Sequence, residues 1–251
     1  MPQDDSDLTY PGGLTRLYVD APLAPEALLP LPESQTHFLA HVLRAKPRDH
    51  VRVFNGCDGE WRARIAEVSK RAVTLAIEGQ TRPQDTVPDV WLLLAPIKKT
   101  PLDYIVQKAT ELGVARIQPV ITHRTIVERV NSDRMAANAI EAAEQSGRLT
   151  VPEIAPPIAL DKVFATWTAN RQVMFCDEGG APPAVAGLAR AGRGPWAILT
   201  GPEGGFDGVE REMIRALKFV VPVSLGPRIM RADTAALSAI TIWQATLGDW
   251  S

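Results

Sequence analysis

Apolar and polar residues alternate in short segments of the first third of the chain, and turns separate these segments. The alternating segments are Leu14–Val19, Asp49–Phe54, Glu60–Ile65 and Ala72–Ile77. Alternation of this kind predicts half-buried β-strands. Between the first two, Pro32–Arg44 carries apolar residues at helical spacing, with Ser34 as a candidate N-cap. The pattern predicts a small β-barrel domain over residues 14–82, preceded by a flexible tail over residues 1–13.

From residue 83 onward, apolar runs alternate with helical segments. The predicted strands are Val90–Ile97, Ala115–Ile121, Val173–Cys176, Trp196–Thr200 and Phe219–Val223. The predicted helices are Pro101–Gly113, Ser132–Gly147, Ala184–Ala191, Val209–Leu217 and Ala232–Leu247. Because strands that alternate with helices form parallel sheets covered on both faces, we expect an α/β domain over residues 83–251.

Two glycine-proline turns close the last two predicted strands. Thr200–Gly205 follows one strand, and Leu225–Ala235 follows the next. The carboxyl ends of parallel strands share one edge of the sheet, where open α/β folds bind their ligands. Neither turn has the Gly-Lys-Ser/Thr of a phosphate-binding loop or the Gly-x-Gly-x-x-Gly of a dinucleotide site. The turns are therefore either a ligand site of another kind or two tight turns without a ligand.

The charge of the chain is uneven, although its net charge is only -2. Residues 41–82 contain nine Lys and Arg but five Asp and Glu. Arg62 and Arg64 alternate along one strand and so share a face, and the aromatic residues Phe54 and Trp61 are near them in sequence. This face is either a surface that contacts RNA or a solvated wall of the barrel.

Other features point to an intracellular protein without a metal. Cys57 and Cys176 are the only cysteines and are interpreted as reduced thiols. The four histidines show no metal-ligand spacing beyond the pair His37 and His41, so we expect no metal site. The amino terminus lacks the basic start and apolar core of a signal peptide, and no apolar run approaches the roughly 18 residues of a membrane span. We expect a cytoplasmic protein with no membrane partner.

The two glycine-proline turns carry a specific resemblance. Leu199–Phe206 together with Leu225–Ala235 resembles the ribosomal RNA small subunit methyltransferase E family, a branch of the SPOUT methyltransferases. Three further blocks match the family: Ile97–Lys99, Gln107–Val114 and Glu141–Arg148. At Asp233 the family more often has glutamate.

The resemblance implies a fold and a cofactor. The fold is a C-terminal α/β trefoil knot with a mostly parallel sheet, joined to an N-terminal PUA-like β-barrel that binds RNA. The cofactor is S-adenosylmethionine (SAM), held by the two turns. Its implied contacts are Thr200, Gly201, Glu203, Gly204, Leu225, Gly226, Ile229, Met230, Thr234 and Ala235. Asp177 and Glu178 are weaker candidates for a wall of the same site.

The resemblance also implies an activity and partners: a homodimer that methylates N3 of a uridine in 16S ribosomal RNA. Arg231, and Arg16 from the barrel of the partner subunit, are the candidate catalytic residues, since a cation near the base would stabilise its anion. The candidate RNA-binding residues are Arg16, Arg44, Arg52, Arg62, Arg64, Lys98 and Lys99. Two alternatives stay open: a related knotted methyltransferase acting on tRNA or on a ribose 2′-oxygen, and a non-catalytic RNA-binding assembly factor.

Overall fold

The computed structural model describes residues 7, 9–10, 13–127 and 129–251. Much of the predicted tail therefore lies outside the described residues, although Thr9–Tyr10 (β1) pairs with Gly13–Leu14 (β2). The chain divides into two compact units. Unit 1 contains residues 1–86 and 143–151, and unit 2 contains residues 87–142 and 152–251.

Unit 1 contains a five-stranded sheet. Its strands are β3 (Arg16–Tyr18), β4 (Leu28–Pro30), β5 (His50–Phe54), β6 (Glu60–Val68) and β7 (Val73–Arg82). The order is β3-β5-β6-β7-β4, with β3 parallel to β5 and the other pairs antiparallel. The alternating apolar residues of these strands form the core, for example Val51, Val53, Ile65 and Leu75, each 0% exposed. The sequence prediction missed β4, which is short and lies in a proline-rich segment.

The helix of unit 1 is less regular than its sequence indicates. Glu33–His37 (α1) is α-helical, and the chain continues as a π-helical turn over Phe38–Val42. The prediction that Ser34 caps this helix is wrong. The N-cap is Pro32, and no side chain caps the helix there.

Residues 143–151 complete unit 1. Phe54 packs with Ala143 and Leu149, and all three side chains are buried. The guanidinium of Arg16 lies 4.5 Å over the Phe54 ring, and it donates to the carbonyl oxygens of Ala143 (2.8 Å) and Arg148 (2.9 Å). A distant part of the chain thus covers one face of the β3–β5 pair.

Unit 2 alternates strands and helices, as the sequence predicts. Its strands are β8 (Val90–Leu94), β9 (Arg116–Ile121), β10 (Glu153–Ile154), β11 (Ile158–Ala159), β12 (Gln172–Cys176), β13 (Trp196–Thr200) and β14 (Val220–Val223). Its helices are α2 (Lys99–Glu111), most of α3 (Ser132–Ser146), α4 (Leu160–Ala165), α5 (Ala184–Ala191), α6 (Gly208–Arg215) and α7 (Ala232–Leu247). The short elements β10, β11 and α4 were not predicted.

The sheet of unit 2 is parallel throughout its described pairs and has the order β10-β9-β8-β13-β12-β14, with β11 also beside β9. Every residue of β13 is buried, which explains its unbroken apolar sequence. The strand β12 lies between β13 and β14, so the two glycine-proline turns are separated by one strand. Among the described residues, no helix is long and apolar enough to cross a membrane.

Candidate functional site

A cavity of about 600 Å³ lies at the carboxyl ends of β12, β13 and β14. The chain leaves each strand here and contributes a loop to the cavity wall. Pockets of this size are typical of sites for small molecules and cofactors. The edge of the sheet is the one expected for ligands in an open α/β fold.

The structure brings most of the candidate cofactor residues together. Nine of the ten line this cavity: Thr200, Gly201, Glu203, Gly204, Leu225, Gly226, Ile229, Met230 and Ala235. The tenth, Thr234, is exposed in the first turn of α7 and is not part of the lining. The weaker candidates Asp177 and Glu178 both line the cavity, because β12 lies between the two turns.

Thr200 places a polar atom in this apolar sheet edge. Its side chain is 1% exposed, and its hydroxyl oxygen has no hydrogen-bond partner in the described part of the chain. A buried hydroxyl without a partner is unfavourable by roughly 1–3 kcal/mol. A ligand in the cavity that bonds to this hydroxyl would remove that cost.

Glycine is required at two positions of the cavity wall for different reasons. Gly226 has a φ of +125°, a conformation that other residues rarely adopt. At Gly201 a Cβ atom would lie 2.8 Å from the ring of Phe206. Gly201 therefore leaves room for the Phe206 ring, and Gly226 allows the positive φ of the second turn.

Two sets of charged residues at the wall differ in their contacts. Asp177, at 3% exposure, binds two arginines: its Oδ1 is 2.8 Å from Nε of Arg211 and its Oδ2 is 2.5 Å from Nη2 of Arg215. Arg228 and Arg231 are exposed, and neither side chain makes a hydrogen bond or ion pair with the described residues. Their guanidinium groups are available to a ligand. Sequence reasoning missed Arg228, although it lies inside the second turn.

Cys176 ends β12 at the cavity wall. Burial raises the pKa of its thiol to about 12. A nucleophilic cysteine needs a low pKa, so the site offers no thiolate for covalent chemistry.

The loop after β13 is fixed from the end of β9. Nη1 of Arg124 donates to the carbonyl oxygen of Gly204 at 2.8 Å. Nδ1 of His123 is 2.5 Å from Oδ2 of Asp207, and Oδ1 of Asp207 caps α6 by accepting from the backbone N–H of Glu210 at 2.7 Å. The hydrogen bond to Asp207 raises the pKa of His123, and the N–H of Glu210, followed by His123, lowers the pKa of Asp207.

Arg16, the other candidate catalytic residue, lies in unit 1. Its Nε donates to Oε2 of Glu60 at 2.7 Å, and its other nitrogens donate to two carbonyl oxygens near the end of α3 and to the carbonyl oxygen of Arg148 after it. The side chain is only 11% exposed. Since its donors are engaged within its own unit, these contacts argue against the catalytic and RNA-binding roles predicted for Arg16.

The other arginines of unit 1 share one face of its sheet. Arg52 is directly opposite Arg62, and Arg64 follows on the same face. A β-bulge in β7 inserts Glu78 beside them, and its carboxylate is 3.9 Å from Nε of Arg62 and 3.3 Å from Nε of Arg64. The acid offsets part of the positive charge of this face.

The remaining candidates are exposed, but Phe54, one of the two aromatic neighbours of the arginines, is not available to a base. Arg44, Lys98 and Lys99 are exposed on their units. Phe54 is 0% exposed, and Nε1 of Trp61 donates to the backbone of Asp58. Phe54 therefore cannot take part in an RNA-contacting surface on this face, because the segment 143–151 covers it.

Two family models match this chain. Residues 31–78 match the RNA methyltransferase PUA domain, and residues 84–244 match the RNA methyltransferase domain. A ribosomal RNA small subunit methyltransferase E of Rickettsia conorii is 32% identical over 228 residues, which are 90% of this chain and 93% of the relative. The chain belongs to the ribosomal RNA small subunit methyltransferase E family.

Solved structures of similar proteins agree with this family. A methyltransferase of Legionella pneumophila in complex with SAM has a TM-score of 0.86 and 29% identity, covering 94% of this chain and 98% of that one. A ribosomal RNA small subunit methyltransferase E of Neisseria gonorrhoeae bound to SAM has a TM-score of 0.85 and 28% identity, covering 94% and 99%. The predicted fold class, a SPOUT-type parallel α/β domain with an N-terminal PUA-like domain, is confirmed.

Proposed function

We propose that this protein transfers the methyl group of SAM to N3 of a uridine in the 16S RNA of the small ribosomal subunit. The observation that carries the proposal is the cavity at the ends of β12, β13 and β14, lined by nine of the ten residues implied by the family resemblance. The family membership and the SAM-bound relatives support the cofactor and the RNA class. The choice of N3 follows from the resemblance.

The cavity residues fit SAM. The hydroxyl of Thr200 supplies a buried polar atom without a partner, and the glycines at 201 and 226 allow the backbone to approach a ligand closely. Leu225 and Met230 supply apolar surface for a planar ring. The carboxylate of Glu178 and the guanidinium of Arg228 offer partners for the positive and negative ends of an amino-acid moiety.

The chain's own residues would position the base and stabilise its charge. SAM supplies an electrophilic methyl group on its sulfonium. The N3 proton of uracil ionises above neutral pH, so the reaction is faster if a cation stabilises the uridine anion. Arg231 has an exposed guanidinium at the cavity wall with no partner among the described residues, and we assign this role to it. Positioning by the two turns supplies the in-line geometry.

We further propose that the two turns form part of a trefoil knot and that the protein acts as a cytoplasmic homodimer. In the sheet order, β13 is inserted between β8 and β12, and the loops after β13 and β14 border one cavity. RNA would contact the face of Arg52, Arg62 and Arg64, together with Arg44, Lys98 and Lys99. Sedimentation velocity of the full chain tests the dimer, and a monomer throughout the micromolar range would contradict it.

The test of function measures transfer and product together. Purified protein is incubated with tritiated SAM and with small subunits from a strain that lacks the modification, and the labelled RNA is digested to nucleosides. We expect label in 3-methyluridine. Label in a 2′-O-methylated nucleoside, or label in tRNA in a parallel reaction that contains tRNA, would support the related methyltransferase instead. SAM binding without label would support the non-catalytic assembly factor.

Two variants separate cofactor binding from chemistry. Thr200→Val removes the buried hydroxyl that has no partner, and we expect a several-fold rise in the Kd for SAM, measured by calorimetry. Thr241→Val, on the exposed side of α7, is the matched control. Arg231→Ala should lower the rate of transfer by at least tenfold while leaving the Kd for SAM within about twofold. Equal Kd values for the two threonine variants would refute the assigned pocket contact.

A further inference from the structure

One cluster of ligating side chains lies outside the cavity. His123 follows β9, Asp207 is the N-cap of α6, and Glu210 lies in the first turn of that helix. One ligand atom from each residue lies within 4.8 Å of the others. Asp207 and Glu210 lie 84 and 87 positions after His123, so no spacing in the sequence joins the histidine to the two acids.

Each carboxylate uses one oxygen to hold the backbone. Oδ1 of Asp207 accepts from the N–H of Glu210, and Oε1 of Glu210 accepts from the N–H of His123 at 3.2 Å. The second oxygen of each carboxylate makes no hydrogen bond to the backbone of the described residues. Oδ2 of Asp207 meets the imidazole of His123, whereas Oε2 of Glu210 is buried and has no hydrogen-bond partner among the described residues.

The oxygen of Glu210 is the observation that points to a ligand. The residue is only 4% exposed, and a buried carboxylate oxygen without a hydrogen bond is strongly unfavourable. A bound cation would satisfy it directly. The side chain of His123, by contrast, is 66% exposed, so the cluster is open to solvent on one side and a cation could enter.

We propose that His123, Asp207 and Glu210 bind a divalent transition-metal cation, with Zn²⁺ as the best match. One imidazole nitrogen and two carboxylate oxygens form a mixed set that suits Zn²⁺, and such a set is less suited to Mg²⁺, which prefers oxygen ligands. The carboxylates carry two negative charges, which a divalent cation neutralises. Water fills the open side of the coordination shell.

Small movements would complete the coordination. Ligand bonds to zinc of about 2.0–2.2 Å place tetrahedral ligand atoms about 3.4 Å apart. The contact between Nδ1 of His123 and Oδ2 of Asp207, at 2.5 Å, must therefore open by almost 1 Å when the metal enters. The exposed ring of His123 can make this movement, and any pair of ligand atoms that lies nearer the 4.8 Å limit must close toward the same spacing.

The metal would join the end of β9 to the end of the loop 201–207. That loop also receives the hydrogen bond from Arg124 to Gly204, and it forms one wall of the cavity. The metal is thus assigned a positioning role that stabilises the loop. The site stands on its own residues and does not depend on the proposed methyl transfer.

The test uses the full chain after treatment with EDTA and removal of the chelator. Calorimetric titration with ZnCl₂ should show one ion per chain, and Co²⁺ should give a visible absorption band typical of a site with nitrogen and oxygen ligands. In His123→Ala, zinc affinity should fall at least tenfold and the cobalt band should disappear. His41→Ala is the matched control, because His37 and His41 form an exposed pair of histidines whose ring centroids are 4.9 Å apart.

Asp207→Asn provides a second variant in case His123→Ala disturbs folding. Asparagine keeps the helix N-cap but removes the charge, so zinc affinity should fall while the thermal unfolding of the metal-free protein changes little. The proposal is overturned if the Kd for Zn²⁺ is above 1 mM. It is also overturned if His123→Ala and Asp207→Asn bind zinc as wild type does, or if His41→Ala alone abolishes binding.

Discussion

Gly201→Ala gives the sharpest test of the cavity wall. The new Cβ would lie 2.8 Å from Cε2 and 3.1 Å from Cδ2 of Phe206. The Phe206 ring cannot move freely, because it packs edge-on against buried Phe175 with ring centroids 5.1 Å apart. Overpacking of this kind costs roughly 1–3 kcal/mol. We expect Gly201→Ala to lower the free energy of unfolding of the cofactor-free protein by about that amount.

The assay is urea unfolding followed by tryptophan fluorescence, with Gly204→Ala as the matched control. At Gly204 the nearest atom to a new Cβ is Cβ of Arg124, 3.6 Å away, which is an ordinary contact. Gly204→Ala should therefore change the free energy of unfolding by less than about 0.5 kcal/mol. Both measurements are made without SAM, so that contacts with a cofactor do not enter the comparison.

A double-mutant cycle identifies the cause. If the ring of Phe206 causes the loss, Gly201→Ala should cost less in the Phe206→Leu background, with a coupling energy of at least about 0.5 kcal/mol. The reasoning is refuted if Gly201→Ala unfolds like wild type, or if its cost is unchanged in that background.

Three further predictions concern other residues. Cys57 is exposed, whereas a pKa of about 12 leaves about one Cys176 thiol in 10,000 ionised at pH 8. Mass spectrometry after iodoacetamide treatment should therefore find Cys57 labelled first, and equal rates would contradict the raised pKa of Cys176. Hydrogen bonds from Arg134 lower the pKa of Asp103, so Asp103→Asn should destabilise the protein at pH 7. The difference in stability between Asp103→Asn and wild type should vanish as the pH falls below the pKa of Asp103 in the folded protein. A difference in stability that persists in acid would contradict this. Arg16→Met should lower the thermal stability of the protein by removing the ion pair and the carbonyl contacts, whereas an unchanged stability would restore Arg16 as a candidate for RNA contact.

The sequence predicted the long elements of unit 2 well because their patterns are strong. The bounds of β13, α5 and α7 agree with the prediction to the residue. β13 is an unbroken apolar run, and the other two are helical segments followed closely by a glycine. The short elements β4 and β11 were missed, since two or three residues carry no measurable period.

Contacts between distant segments could not be predicted in the same way. Phe54 reads as one position of an alternating strand, and nothing near it in sequence indicates that Ala143 covers it. The cavity was accessible to sequence reasoning because its residues lie in two short motifs. The cluster of His123 and Asp207 could not be predicted from the sequence, because only the fold brings these residues together.

The discontinuity of unit 1 has a consequence for the order in which this chain can fold as it is synthesised. Residues 1–86 leave the ribosome before the segment 143–151 that covers Phe54 and receives the hydrogen bonds of Arg16. Until that segment is made, the face of β3 and β5 around Phe54 stays exposed to water. A fragment cut at the boundary after residue 86 would keep this exposed face permanently. A fragment designed to contain unit 1 alone should therefore carry residues 143–151 on a linker.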